Sequence, residues 1–184
     1  MKFDMVTPTF EDIDGMLDLN YRIYPKEWHV SPEYVKEVMM QNPEVYRVCK
    51  VNGTVKGVYS LFPLNKKDYE GVLKDEIDEK DLADKVLSYD GCKEVYLYLI
   101  SIIVDIFDED YKRYTLALLQ DMPEQLKLLE SKGIQVKEIG AFAISEDGSR
   151  ILNRIGFNQD PEIETNEFPV FRSTAPDLIQ AIKK

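Results

Sequence analysis

Apolar positions recur along this chain with two periods, every third or fourth residue in some stretches and every one or two residues in others. Residues 2–7 form a short strand-like run. Thr9 then offers an N-cap for a helix carrying Phe10, Ile13, Met16, Leu17, Leu19 and Tyr21, which ends before Pro25. Ser31 with Pro32 behind it starts a second helix, whose buried side is Tyr34, Val35, Val38 and Met39, and Asn42-Pro43 stops it.

Two β-rich runs follow, 45–51 and 55–64, joined by Asn52-Gly53, the dipeptide that best satisfies a two-residue hairpin turn. Residues 66–88 turn polar, with Leu73, Ile77, Leu82, Val86 and Leu87 at roughly helical spacing. They predict one or two short helices inserted between strands. Residues 94–105 are dense in β-branched and aromatic side chains and predict a central strand.

A long helix is expected over 111–131, with Leu116, Leu119, Met122, Leu126 and Leu129 as its apolar side, Pro123 as a kink and Lys132-Gly133 as its C-cap. Another strand spans 134–144, Ser145 caps a short helix that Gly156-Phe157 terminates, 168–172 is a last strand and 177–183 a terminal helix. The whole chain, 1–184, reads as a single domain with a helical insertion at 66–88.

Composition narrows the partners. Hydrophobic residues make up 44% and charged residues 31%, as in a chain that folds alone, and the net charge of -11 repels nucleic acid and anionic membranes. A small anionic ligand is compatible with the local pair Lys112-Arg113. Cys49 and Cys92 make neither a disulfide framework nor a paired zinc spacing, so no metal is expected and the compartment reads as reducing. With no apolar signal core after Met1 and no apolar run long enough to span a bilayer, a cytoplasmic protein is expected.

The element order, together with the segment Ala143 to Phe157 in which a strand leads into a helix closing on Gly156-Phe157, resembles the GNAT superfamily of acyl-CoA-dependent N-acyltransferases. The resemblance covers nearly the whole chain. It implies an α/β (α+β) fold, a central mixed, mostly antiparallel sheet of about six or seven strands flanked by helices, with acetyl-CoA (acyl-CoA) as co-substrate. In the family, a Gln/Arg-x-x-Gly-x-Gly/Ala loop at the start of the long helix holds the pyrophosphate of coenzyme A. Helix N-terminal amides are unpaired and glycine lets phosphate approach closely. The matching positions here are Asp110, Arg113 and Thr115, so the glycines are missing. Lys112, Arg113, Tyr114 and Thr115 remain as phosphate-side candidates, and Lys112 and Arg113 equally suit a solvated first turn. The strand segment Ile102, Ile103 and Val104 would pair with the pantetheine arm as an added strand does, although a plain core strand has the same residues.

The family's acidic tyrosine on the short helix corresponds to Leu152 here. Tyr96 and Tyr98 are the replacement acids, since alternation puts them on one face with Glu94; Glu94 and Glu138 are the candidate bases. Strand tyrosines and carboxylates with purely structural roles look the same in sequence. Tyr24, Trp28 and His29 fall in the connection that overlies the acceptor site of the family, where they suit either substrate binding or packing. The resemblance therefore implies acyl transfer to an amine of a small molecule or protein, or a catalytically inactive fold relative that binds or regulates. The inserted segment offers a contact for a homodimer.

Overall fold

The computed structural model describes residues 2–163 and 167–183. Among them, β1 (Phe3–Val6), β2 (Tyr46–Val51), β3 (Thr54–Leu64), β4 (Glu94–Val104), β5 (Gln135–Phe142), β6 (Asn158–Gln159) and β7 (Val170–Ser173) build one sheet in the order β1-β2-β3-β4-β5-β7-β6. Neighbours are antiparallel except β4 with β5. The hairpin forms as predicted, with Asn52 and Gly53 both at positive φ, as its tight turn requires.

Helices α1 (Ile13–Ile23), α2 (Pro32–Gln41) and α3 (Lys66–Leu73) cover one face, and α4 (Tyr111–Ser131) and α6 (Ala175–Ile182) cover the other. The helix α5 (Glu146–Arg154) precedes the Gly156-Phe157 turn. The caps behave as read: the Ser31 hydroxyl accepts from the Tyr34 amide at 3.1 Å and the Ser145 hydroxyl from the Gly148 amide at 2.9 Å. Thr9 instead heads a 3₁₀ turn, Phe10–Asp12, that leads into α1, and Phe10 is left on the surface.

On α4, Leu116 is exposed, contrary to expectation, while Tyr114, Leu118, Met122, Leu126 and Leu129 face the sheet. Leu116 lies half a turn from the stripe that Tyr114 and Leu118 begin, so its apolar character does not make it part of that face. Within the 66–88 insertion only α3 and a 3₁₀ turn, Glu79–Asp81, are regular.

Strand β4 determines where a ligand can enter. Leu61 of β3 pairs with Leu99 and Tyr59 with Ile102, so Ile100 and Ser101 together oppose the single residue Ser60. This bulge reverses the alternation: Tyr96, Tyr98 and Ile100 share a face with Ile103, whereas Ile102 and Val104 pack toward α4. The β4–β5 ladder ends at Leu99↔Ala141, and residues 100–104 run on past it.

Gly156 has φ +97°, and an added Cβ would lie 2.8 Å from the Asp177 carbonyl oxygen of α6. Gly156→Ala is therefore expected to lose roughly 2 kcal/mol and about 6 °C of thermal midpoint through backbone strain plus this overlap. Thermal unfolding followed by circular dichroism checks it; a shift under 1 °C contradicts it.

Candidate functional site

A cavity of about 680 Å³ lies on the α1–α3 face, floored by Ile100, Ser101 and Ile103 just past the end of the β4–β5 ladder. One wall is the connection between α1 and α2. Asn20 ties this wall to α1, accepting from the Val30 amide at 3.2 Å and donating to the Trp28 carbonyl at 3.4 Å. Tyr24 and Trp28 line the cavity, their rings edge to face at 5.6 Å, and Phe168 packs on Trp28 from the far side of the sheet order. His29 is turned away: its Nε2 lies 2.8 Å from the Tyr24 carbonyl and its ring packs on Tyr21, so it closes the connection on itself.

The opposite wall is the insertion. The 3₁₀ turn carries Glu79 into the cavity wall, where the Tyr98 hydroxyl donates to its carboxylate and the Tyr34 hydroxyl donates to its backbone carbonyl at 2.6 Å. Glu79 is exposed at the cavity mouth, and the rings of Tyr98 and Tyr34 crowd its inner side. This crowding raises its pKa above the usual carboxylate range, against the lowering hydrogen bond from Tyr98 and with help from Asp78 and Asp75. Burial, then the Glu79 charge, push Tyr24 up to about 12, and the same two causes lead in Tyr98. Glu27, Asp75, Asp78 and Glu167 join Glu79 around the opening, with Lys80 as the cation among the described lining residues.

The predicted catalytic residues are only partly brought together. Tyr98 meets Glu79 behind the cavity wall. Glu94 begins β4, is exposed beside Lys137, and stands about 20 Å of strand away from Ile100. Tyr96 stacks on Tyr69 at 5.1 Å, and Glu138 accepts from the Tyr69 hydroxyl and from Arg172, outside the cavity. Among the proposed pantetheine contacts, Ile103 reaches the cavity floor, whereas the bulge turns Ile102 and Val104 to the other face.

Glu79 and Ser101 escaped the sequence reading. Glu79 falls in a polar stretch with no periodic neighbour, and the bulge that exposes Ser101 has no glycine or proline to mark it.

The loop between β4 and α4 is occupied by its own side chains. The amides of Phe107 and Asp110 donate to the carboxylates of Asp105 and Asp108 at 3.3 and 2.9 Å. The amides of Asp108, Tyr111, Arg113 and Tyr114 donate to loop carbonyls. Lys56 lies 3.1 Å from Asp105 and 3.0 Å from Asp108; Arg22 also reaches Asp105, and the Tyr114 hydroxyl donates to Asp108 at 2.9 Å. Hydrogen bonds from the Asp110 amide, Lys56 and Tyr114 hold the Asp108 carboxyl down at about 2. Burial opposes ionisation of Asp105, but Arg22 and Lys56 outweigh it and keep its carboxyl below the usual range. Lys112 folds over the Tyr111 ring, Arg113 pairs with Asp110, and the Thr115 hydroxyl donates to the Tyr111 carbonyl. The free strand edge and cavity suit a pantetheine-like arm, whereas this loop does not suit a pyrophosphate.

No helix among the described residues is long and apolar enough to cross a membrane. No family model matches the chain, and no curated protein matches it in sequence. Solved structures do match the fold. The loading GNATL domain of CurA from Lyngbya majuscula is 10% identical with a TM-score of 0.72, over 96% of this chain and 99% of that one. The GNAT-like decarboxylase GphF in complex with isobutyryl-CoA is 12% identical with a TM-score of 0.66, over 95% and 100%. PaiA N-acetyltransferase from Thermoplasma acidophilum in complex with coenzyme A is 13% identical with a TM-score of 0.62, over 95% and 99%. The chain has the GNAT fold.

Proposed function

We propose that this chain transfers an acyl group from a coenzyme A-type thioester to an amine held in the cavity. The observation that carries the reading is a juxtaposition: Ile100, Ser101 and Ile103 of β4, beyond the ladder to β5, form the floor of a cavity walled by aromatic rings and carboxylates. An unpaired strand edge takes an extended amide chain as an added strand. Carboxylates and the faces of Tyr24 and Trp28 attract a cationic amine, small or on a protein surface. The neighbours PaiA and GphF are described with coenzyme A and isobutyryl-CoA, which supports a thioester of this class.

The chain's own groups suit the proton handling. Glu79 is the base for the incoming ammonium, and Tyr98 positions its carboxylate. Tyr96, Glu94 and Glu138 take no part in this reading, because they stand outside the cavity.

Incubation with acetyl-CoA and a panel of primary amines, with released thiol followed by a chromogenic disulfide, tests transfer. Amine-dependent thiol release is expected, and its absence across the panel sinks the reading. Trp28→Ala is expected to raise KM for the preferred amine about fivefold with little change in kcat, since a ring–cation contact supplies about 1 kcal/mol. An unchanged KM removes Trp28 from the acceptor site.

Leu152 favours a second reading. It occupies the place of the family's acidic tyrosine and is buried in the core, where it cannot supply a proton. In that reading the protein binds a thioester and regulates or presents it, so ligand raises the melting temperature without thiol release.

A further inference from the structure

We infer that the donor is recognised through its pantetheine arm alone, and that the loop between β4 and α4 shuts out the nucleotide diphosphate. The inference rests on the acyl-transfer reading above and narrows its donor. A pyrophosphate binds at such a place by accepting from unpaired amides at the start of a helix and by pairing with free cations. Here the amides of residues 107, 108, 110, 111, 113 and 114 already have acceptors. Most of the nearby cations are engaged with these carboxylates, Lys56 between Asp105 and Asp108, Arg22 with Asp105 and Arg113 with Asp110, while Lys112 lies over the Tyr111 ring.

The approach is also closed by charge and by shape. Asp105, Asp108, Glu109 and Asp110 follow one another in this loop, so an incoming diphosphate would have to displace carboxylates while lying among their charges. Side chains at Arg113 and Thr115 stand where glycine would give phosphate access to the backbone. In place of phosphate ligands the loop turns Ile106 and Phe107 outward, 53% and 72% exposed. The cavity floor itself is uncharged, with the carboxylates of the cavity set around its opening: Ile100, Ser101 and Ile103 suit an uncharged amide arm.

The test uses the unaltered protein and four probes: acetyl-CoA, S-acetyl-4′-phosphopantetheine, S-acetylpantetheine and adenosine 3′,5′-bisphosphate, titrated by amide chemical-shift changes. The three thioesters are expected to bind within about threefold of one another, to shift amides of residues 100–104, and to be undisturbed by the bisphosphate. Binding of acetyl-CoA at least tenfold tighter than S-acetylpantetheine, or displacement by the bisphosphate, overturns the inference and leaves acyl transfer standing. A tenfold gain from the single phosphate of the phosphopantetheine form overturns it as well, and points to the form carried on proteins rather than to free coenzyme A. Failure of all three thioesters to bind overturns the acyl-transfer reading together with the inference.

Discussion

Arg172→Met is expected to lower stability at pH 7 by about 3 kcal/mol and the thermal midpoint by roughly 9 °C. One guanidinium on β7 serves a group of carboxylates: Nε donates to Asp160 at 2.8 Å, Nη1 to Glu138 at 2.7 Å, and Nη1 and Nη2 to both oxygens of Glu70 on α3. These side chains are only 16–30% exposed, so water screens them poorly. Methionine keeps an unbranched apolar stem and removes the guanidinium with its contact over the Tyr69 ring, which leaves carboxylates repelling one another across the α3–sheet junction.

The sign of the pH dependence separates this account from lost packing. In the intact protein, burial opposes ionisation of Asp160, but hydrogen bonds from the Glu162 amide and from Arg172 outweigh it and keep its carboxyl below the usual range. Its stabilising contribution is thus complete above the unfolded value near 4 and fades as pH falls through the lower folded value. In the variant Asp160 loses the cation that offsets its burial, so its carboxyl moves upward and the loss at pH 7 shrinks as pH falls toward 5. Urea unfolding at both pH values checks this. A difference between the two proteins that is below 1 kcal/mol at pH 7, or that does not change with pH, refutes the electrostatic account.

That ion cluster also shows where sequence reading stops. Asn52-Gly53, Ser31-Pro32, Ser145 and Gly156-Phe157 act on backbone within a few residues, so their turns and caps were legible, and with them the strand order's local parts. Arg172 and Glu70 are joined across a separation of 102 residues, and no local period reports such a meeting. The site was legible in part for the same reason. Tyr24 and Trp28 were found because an aromatic concentration in a connection stands out in composition. The bulge at Ile100–Ser101 was not, and strict alternation extended through it wrongly places Ile102 with Tyr98. Leu116 was misplaced by counting apolar residues in α4 without following the angle between them.

Glu79→Gln is expected to lower kcat/KM for the amine by about 100-fold at pH 7, the low end of what a positioned general base contributes. The substitution keeps size and an acceptor for the Tyr98 hydroxyl, so the cavity wall retains its shape and the loss reports on proton transfer. Tyr98→Phe gives the complementary result. Its hydroxyl stabilises the charged form of Glu79, so removing it raises the carboxyl pKa further and moves the acidic limb of the kcat/KM profile to higher pH. Rate is then lost below that limb and retained above it, whereas a base removed outright loses rate on both sides. Steady-state rates from pH 5 to 9 for the three proteins decide the matter. An E79Q enzyme within threefold of the parent, with the same profile, takes the base away from the insertion; a Y98F profile superimposable on the parent's breaks the link between the two side chains. The insertion would then serve the cavity only as a wall, with α3 and its ion cluster holding that wall against the sheet.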